Sequence, residues 1–206
     1  MILKDSRQTR ERAATVIEAG GLVAFRTDTF YGLGANPFNR GALQNLLALK
    51  GREDGKPILL VISDASEVSR FNARGSKLFD AISLRYWPGP LTLVVSAHPE
   101  LPEELTAGTG TIGLRLPDDR DVCELVRACG GALTATSANR TGESPARTAA
   151  EVARAFPAGL ELIVDGGAAR SQEPSTVIDV SRHEARLIRE GAVGWSELQE
   201  TIRGAT

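Results

Sequence analysis

Lysine is scarce in this chain: of 24 basic residues, four are lysine and twenty are arginine. Two of the four, Lys50 and Lys56, nevertheless fall within seven consecutive positions. Cysteine is scarcer still. Cys123 and Cys129 are separated by five residues, a spacing that matches neither a metal knuckle nor a redox pair, and both are expected to be buried, reduced thiols. His98 and His183 stand far apart, with no cysteine or carboxylate cluster beside either, which argues against a zinc site. They also lack the hydroxyl context of a Ser-His-Asp arrangement, so covalent catalysis is not expected.

No apolar run is long enough to cross a bilayer, and the chain does not open on a basic segment followed by an apolar one. A cytoplasmic protein without a membrane contact is the expectation. The formal charge of −2 excludes a surface built throughout for nucleic acid, which needs a basic face to release counterions from phosphates. Any RNA contact must be local. The Gly-x-x-x-x-Gly-Lys-Ser/Thr phosphate loop is absent, and Gly32-Leu33-Gly34 lacks the third glycine of a dinucleotide fingerprint. Nucleotide binding would therefore use dispersed side chains. With 206 residues, 42% of them hydrophobic, the chain is long enough for one substantial core, and residues 1–206 are expected to form a single domain.

Against these absences, five segments repeat one pattern, an apolar run that opens into polar or cationic groups. In the first, Leu22 to Phe25 leads into Arg26-Thr27-Asp28-Thr29-Phe30-Tyr31-Gly32-Leu33-Gly34. A strand that ends in small hydroxyls projects them from a sheet edge, and glycine lets the backbone turn or a ligand approach. The second, Lys50 to Ile58, sets Lys50 and Arg52 at the end of an expected helix, where its electronegative terminus also favours cations. The third, Thr111 to Pro117, alternates Arg115 with apolar neighbours. The fourth, Ala132 to Pro145, is dense in hydroxyl and amide groups that suit phosphate or adenine and equally suit ordinary loops. The fifth joins Pro174 to Asp179 with Leu187 to Gly191.

Helices and strands alternate along the chain. Helical spacing and caps predict helices over about Ser6–Ala19, after Asn39, over Ser76–Arg85, over Asp121–Cys129, after the Thr148-x-x-Glu151 capping box, and from Ser196. Strands are expected near Ile58–Ile62, Leu91–Ser96, Leu162–Val164, Thr176–Val180 and Ala185–Ile188. The last strands follow one another without helices between them, so the sheet must be partly antiparallel.

Together the five segments resemble the YrdC-like family, the threonylcarbamoyl-AMP synthases that begin threonylcarbamoyladenosine formation in tRNA. The resemblance rests on Thr27-Asp28-Thr29-Phe30-Tyr31-Gly32-Leu33-Gly34, the Lys50-x-Arg52 pair, Trp87-Pro88-Gly89-Pro90-Leu91-Thr92, Ser137-Ala138-Asn139, Ser175-Thr176 and Arg189-Glu190-Gly191. Several ordered motifs in register are far more specific than any one alone. Arg26 and Glu53 stand where the family usually has proline. The resemblance implies an α/β fold, a single-domain twisted mixed parallel and antiparallel sheet flanked by helices, with an open cationic cleft.

The activity it implies joins L-threonine, bicarbonate or CO₂, and ATP into threonylcarbamoyl-AMP with release of pyrophosphate, with Mg²⁺ accompanying ATP. Lys50, Arg52, Arg115 and Arg189 would stabilise charge in that reaction, with Lys56 as a further candidate. Thr27, Thr29, Tyr31, Arg115 and Ser175 would hold threonine, and Lys50, Arg52, Thr111, Ser137, Asn139, Ser144 and Arg189 would hold ATP. Asp28 would bind Mg²⁺ or orient a donor, or else be simply a solvated or capping aspartate. Contacts with tRNA or double-stranded RNA, and with proteins that transfer the threonylcarbamoyl group onward, are further implied partners. Two rival readings stay open, an RNA-binding or ribosome-maturation module and a paralogue that acts on another carbamoyl adenylate.

Overall fold

The structure is a computed structural model that describes residues 1–51, 57–140, 142–171 and 173–205. Arg52 and Lys56 lie outside the described residues. In chain order the elements are β1 (Ile2–Lys4), α1 (Arg7–Glu18), β2 (Val23–Arg26), β3 (Tyr31–Gly34), α2 (Arg40–Lys50), β4 (Leu59–Ile62), a 3₁₀ segment (Ala65–Arg70) and α3 (Lys77–Tyr86). There follow β5 (Leu91–Ser96), α4 (Glu103–Thr106), β6 (Thr111–Arg115), α5 (Arg120–Ala128), β7 (Ala132–Thr134), β8 (Thr136–Ser137) and α6 (Ala149–Ala155). The last elements are β9 (Leu162–Asp165), β10 (Thr176–Asp179), β11 (Arg186–Arg189) and α7 (Trp195–Ala205).

Local chemistry sets the helix starts. The side chains of Ser6, Asn39, Ser76 and Thr148 accept the otherwise unpaired amides of Thr9, Ala42, Phe79 and Glu151. Glu151 completes a capping box by returning its carboxylate to the Thr148 amide. Helix α2 stops at Gly51, which adopts a left-handed conformation with φ 61°. That stop leaves Lys50 as the last helical residue, directed inward.

The mixed α/β arrangement is present, divided over two sheets. One has the order β1-β9-β2-β3-β8 and the other β11-β10-β5-β6-β4-β7. Parallel and antiparallel pairs occur in both: β2 is antiparallel to β3 and parallel to β9, and β10 is antiparallel to β11 and parallel to β5. A single residue, Ala135, separates β7 in the second sheet from β8 in the first. A shared apolar core takes Tyr31, Leu33 and Ile163 from the first sheet, and Leu60, Leu93 and Ile178 from the second. Burial of this inner face holds the sheets together, at about 25 cal/mol for each Å² removed from water. Where they meet, polar strand ends from both line one cleft.

Strand β1 is not legible in the sequence. It is short and half exposed, and pairs in parallel with β9, Ile2 opposite Ile163.

Candidate active site

The cleft has a volume of about 340 Å³ and is walled by the β2–β3 turn, β4, the β7–β8 crossing and the ends of β5, β6, β10 and β11. Its size falls in the range of small-molecule sites. Thr27 builds the turn. Its hydroxyl accepts the amides of Thr29 (3.2 Å) and Phe30 (3.3 Å), donates to the Phe30 carbonyl (2.7 Å), and lies 3.1 Å from the Thr29 hydroxyl. Thr29 is therefore presented to the cleft by a turn that its own neighbour closes.

Arg115 ends β6 and reaches across to that turn. Its Nη1 donates to the Thr29 hydroxyl at 3.1 Å and its Nε to the Gly89 carbonyl at 3.3 Å, while Nη2 forms an ion pair with Asp28. The Trp87-Pro88-Gly89-Pro90 segment thus acts as a brace. The Gly89 amide donates to Leu116 (2.8 Å) and the Trp87 indole to the Leu91 carbonyl (2.7 Å), so the carbonyl that holds Arg115 is itself fixed. Of the roles open to Asp28, the geometry realises the orientation of a donor.

Arg189 enters from the end of β11. Its Nη2 donates to the Ser175 carbonyl (2.9 Å) and hydroxyl (3.2 Å), and its Nε to the same carbonyl (3.2 Å). Burial first, and the charge of Arg115 second, lower its pKa below the ordinary arginine value. The Ser175 hydroxyl lies 3.0 Å from that of Thr92, which is buried on β5 and lines the cleft. Thr176 fixes the turn after Arg189: its hydroxyl donates to Val193 (2.6 Å) and accepts the amides of Gly191 (2.9 Å) and Val193 (3.0 Å). Glycine is required at 191, since a Cβ there would lie 2.3 Å from the Pro174 carbonyl oxygen.

Lys50 forms the remaining cationic part of the described wall. Its ammonium donates to the carbonyls of Ser137 (2.8 Å) and Asn139 (2.6 Å) from a buried position. Ser137 lines the cleft, whereas Asn139 and Ser144 line an adjoining hollow of about 490 Å³ that shares Pro145 with it. The Asn139 amide donates to the Arg140 (2.9 Å) and Glu143 (2.7 Å) carbonyls, so this side chain braces its own loop.

Lys50, Arg115, Arg189, Thr27, Thr29, Tyr31, Ser137 and Ser175 therefore line the cleft together, Asn139 and Ser144 line the adjoining hollow, and Thr111 lines neither. Thr111 lies at the other end of β6, about 13 Å along the strand from Arg115, and its hydroxyl bonds that of Thr109 (2.9 Å). The Tyr31 ring contributes to the wall and core, but its hydroxyl points away, donating to the Gly167 carbonyl (2.8 Å) and to Asp165 (3.2 Å). Burial and the Asp165 carboxylate raise its pKa. Thr92 and Gly191 also serve the site, although the sequence motifs that contain them single out neither. A hydroxyl in the apolar run Leu91-Thr92-Leu93-Val94-Val95 was the available signal. Among the described residues no group of three or more His, Cys, Asp or Glu side chains is placed to hold a metal ion, and none is long and apolar enough in helix to cross a membrane.

The family model Sua5_yciO_yrdC, described as "Telomere recombination", matches residues 15–191. The chain belongs to this family. A threonylcarbamoyl-AMP synthase of Thiobacillus denitrificans, similar within the Sua5/YciO/YrdC family, is 40% identical over 178 residues, covering 84% of this chain and 94% of its own. Another, from Pyrococcus abyssi, is 33% identical over 92% of this chain, which spans 56% of that relative. The solved structure of P. abyssi Sua5 complexed with L-threonine superposes with a TM-score of 0.93 at 31% identity, over 98% of this chain and 61% of that one. The Sua5/YciO/YrdC match spans every segment that builds the cleft, from the β2–β3 turn to Gly191.

Proposed function

We propose that this chain is a threonylcarbamoyl-AMP synthase that joins L-threonine, bicarbonate or CO₂, and ATP, releasing pyrophosphate, for threonylcarbamoyladenosine modification of tRNA. One observation carries the reading. Lys50, Arg115 and Arg189, far apart in sequence, line a single cleft with the hydroxyls of Thr29, Thr92 and Ser175. The names of the relatives at 40% and 33% identity support the same activity.

The chemistry asks for placement. The threonine amine adds to CO₂ to give a carbamate, and a carbamate oxygen displaces pyrophosphate from the α-phosphorus. Negative charge accumulates on phosphate oxygens, and fixed cations aimed there stabilise it without reorganising at the moment of reaction. Arg189 and Lys50 take the phosphate side. Arg115, Thr29 and Ser175 take threonine, with Arg115 facing its carboxylate. Thr27 serves by holding the turn. Ser137 lies on the nucleotide path, which continues past Pro145 into the hollow lined by Asn139 and Ser144. Arg52 completes the phosphate set on the strength of its motif.

Mg²⁺ enters with ATP. No Asp or Glu is among the described residues that line the cleft, so phosphate oxygens and water would supply its ligands. The experiment is ATP-dependent pyrophosphate release with L-threonine and bicarbonate present together and each omitted. Release that needs both supports the synthase. Release indifferent to threonine excludes it, and RNA binding that falls steeply with salt in a protein without turnover would favour the RNA-binding module.

A further inference from the structure

Two ion pairs run in opposite senses between the same two segments, and one of their members, Arg115, lines the cleft. One segment, residues 26–29, begins at the last residue of β2 in the first sheet. The other, residues 115–119, begins at the last residue of β6 in the second. Asp28 of the first segment pairs with Arg115 of the second, while Arg26 of the first pairs through Nη2 with Asp119 Oδ2 of the second at 2.8 Å. The Arg26–Asp119 pair is the deeper one, with side chains 4% and 1% exposed. Asp119 has a second task, because its Oδ1 accepts the amides of Asp121 (3.1 Å) and Val122 (3.3 Å) and caps α5. The exposed Arg170 also approaches Asp119 Oδ2, at 3.4 Å. Gly166 keeps room for the guanidinium, since a Cβ there would lie 2.9 Å from Arg26 Nε.

Among the described residues, Arg26 Nε and Nη1 are buried without a hydrogen-bond partner. Ions removed from water regain their solvation cost only when geometry and hydrogen bonding are nearly complete, so a pair left this incomplete contributes little net stability. What it does supply is register. It fixes the base of the Thr27–Phe30 turn relative to the start of α5, and the turn carries the two groups, Asp28 and Thr29, that hold Arg115.

We infer that Arg26 and Asp119 are positioning residues for Arg115: the buried pair clasps the two sheets so that the guanidinium meets the substrate carboxylate at one fixed angle. The inference rests on the synthase reading for the identity of that carboxylate, and on the two ion pairs and the Thr29 hydrogen bond for the clasp. Neither residue touches substrate. Asp28 and Arg115 form the cleft-side half of the clasp, and Arg26 and Asp119 its anchor.

The test uses Arg26→Met, Asp119→Asn and Arg26→Lys in the whole chain. Asp119→Asn keeps an oxygen to cap α5 and removes the charge, and Arg26→Lys keeps the charge without the fork. The clasp predicts a KM for L-threonine raised about tenfold in the first two variants, a KM for ATP within about twofold of wild type, and partial recovery in Arg26→Lys. A merely structural pair would lower the folded fraction and leave KM unchanged. Amide hydrogen exchange at Thr29 and Phe30, which both donate to Thr27 Oγ1, should quicken about tenfold in the same two variants. Should Arg26→Met fail to fold, Asp119→Asn decides both readouts. An unchanged threonine KM in a folded Asp119→Asn, or unchanged exchange at both amides, overturns the clasp. A wild-type protein without threonine-dependent turnover would sink the synthase reading, and the exchange measurement would then decide the clasp by itself.

Discussion

Arg115 and Arg189 reach the same cleft from the ends of two strands of the second sheet, β6 and β11, and they meet different partners there. Arg115 is matched by Asp28, whereas Arg189 rests on the neutral oxygens of Ser175. The charge of Arg115, added to burial, lowers the Arg189 pKa. An anion placed between the two guanidiniums would relieve that repulsion, which makes Arg189 the side chain with most to gain from a phosphate.

Arg189→Gln should therefore lower kcat about 100-fold, the typical cost of deleting one donor to a charged transition state. Because β11 is an edge strand and its ladder to β10 is made by backbone groups, the melting temperature should hold within a few degrees. Steady-state pyrophosphate release alongside thermal unfolding measures both.

Gly191→Ala tests the turn that aims Arg189. The new methyl would lie 2.3 Å from the Pro174 carbonyl oxygen and 2.8 Å from the Ser175 carbonyl carbon, and both are backbone atoms. Stability should fall by about 1–3 kcal/mol, and turnover should fall further than the folded fraction does. Denaturant titration and turnover per folded molecule separate the two effects.

Tyr31→Phe should leave the KM for L-threonine within about twofold of wild type, because the hydroxyl serves Asp165 and Gly167 at and beyond the end of β9. Its loss should cost about 1 kcal/mol of stability. A large threonine KM effect would show that the hydroxyl, not only the ring, matters to the substrate.

Neither thiol should react in the native protein. Burial pushes Cys129 up to about 12 from an ordinary value of 9.0, and burial likewise raises Cys123. The sign follows: a raised thiol pKa leaves less thiolate at any pH below it. Iodoacetamide at pH 8 should leave both unmodified by mass spectrometry until denaturant is added. The same shift makes stability fall as pH rises from about 9 towards 12, since the unfolded thiol loses its proton first.

Much of this was legible in the sequence, for local reasons. Ser6, Asn39, Ser76 and the Thr148/Glu151 box mark helix starts because the capping chemistry lies within three residues of the cap. The five polar openings converge because each ends a strand whose apolar run must enter the core. What distant pairing decides was not legible. Strand β1 exists through backbone bonds to β9, more than 150 residues away. The division into two sheets follows from Ala135, where one short run changes partners. Tyr31 and Thr29 lie two residues apart with hydroxyls in opposite directions, because the chain turns between them. Thr111 is legible as remote: three strand residues separate it from Arg115, too far for one phosphate group to bridge.

The central claim concerns what leaves the cleft, and isotope incorporation reads it directly. With L-threonine, ATP, Mg²⁺ and ¹³C-bicarbonate, mass spectrometry should find threonylcarbamoyl-AMP carrying a single ¹³C, and none when threonine is omitted. An adenylate without the label, or no adenylate from a folded protein, would contradict the account.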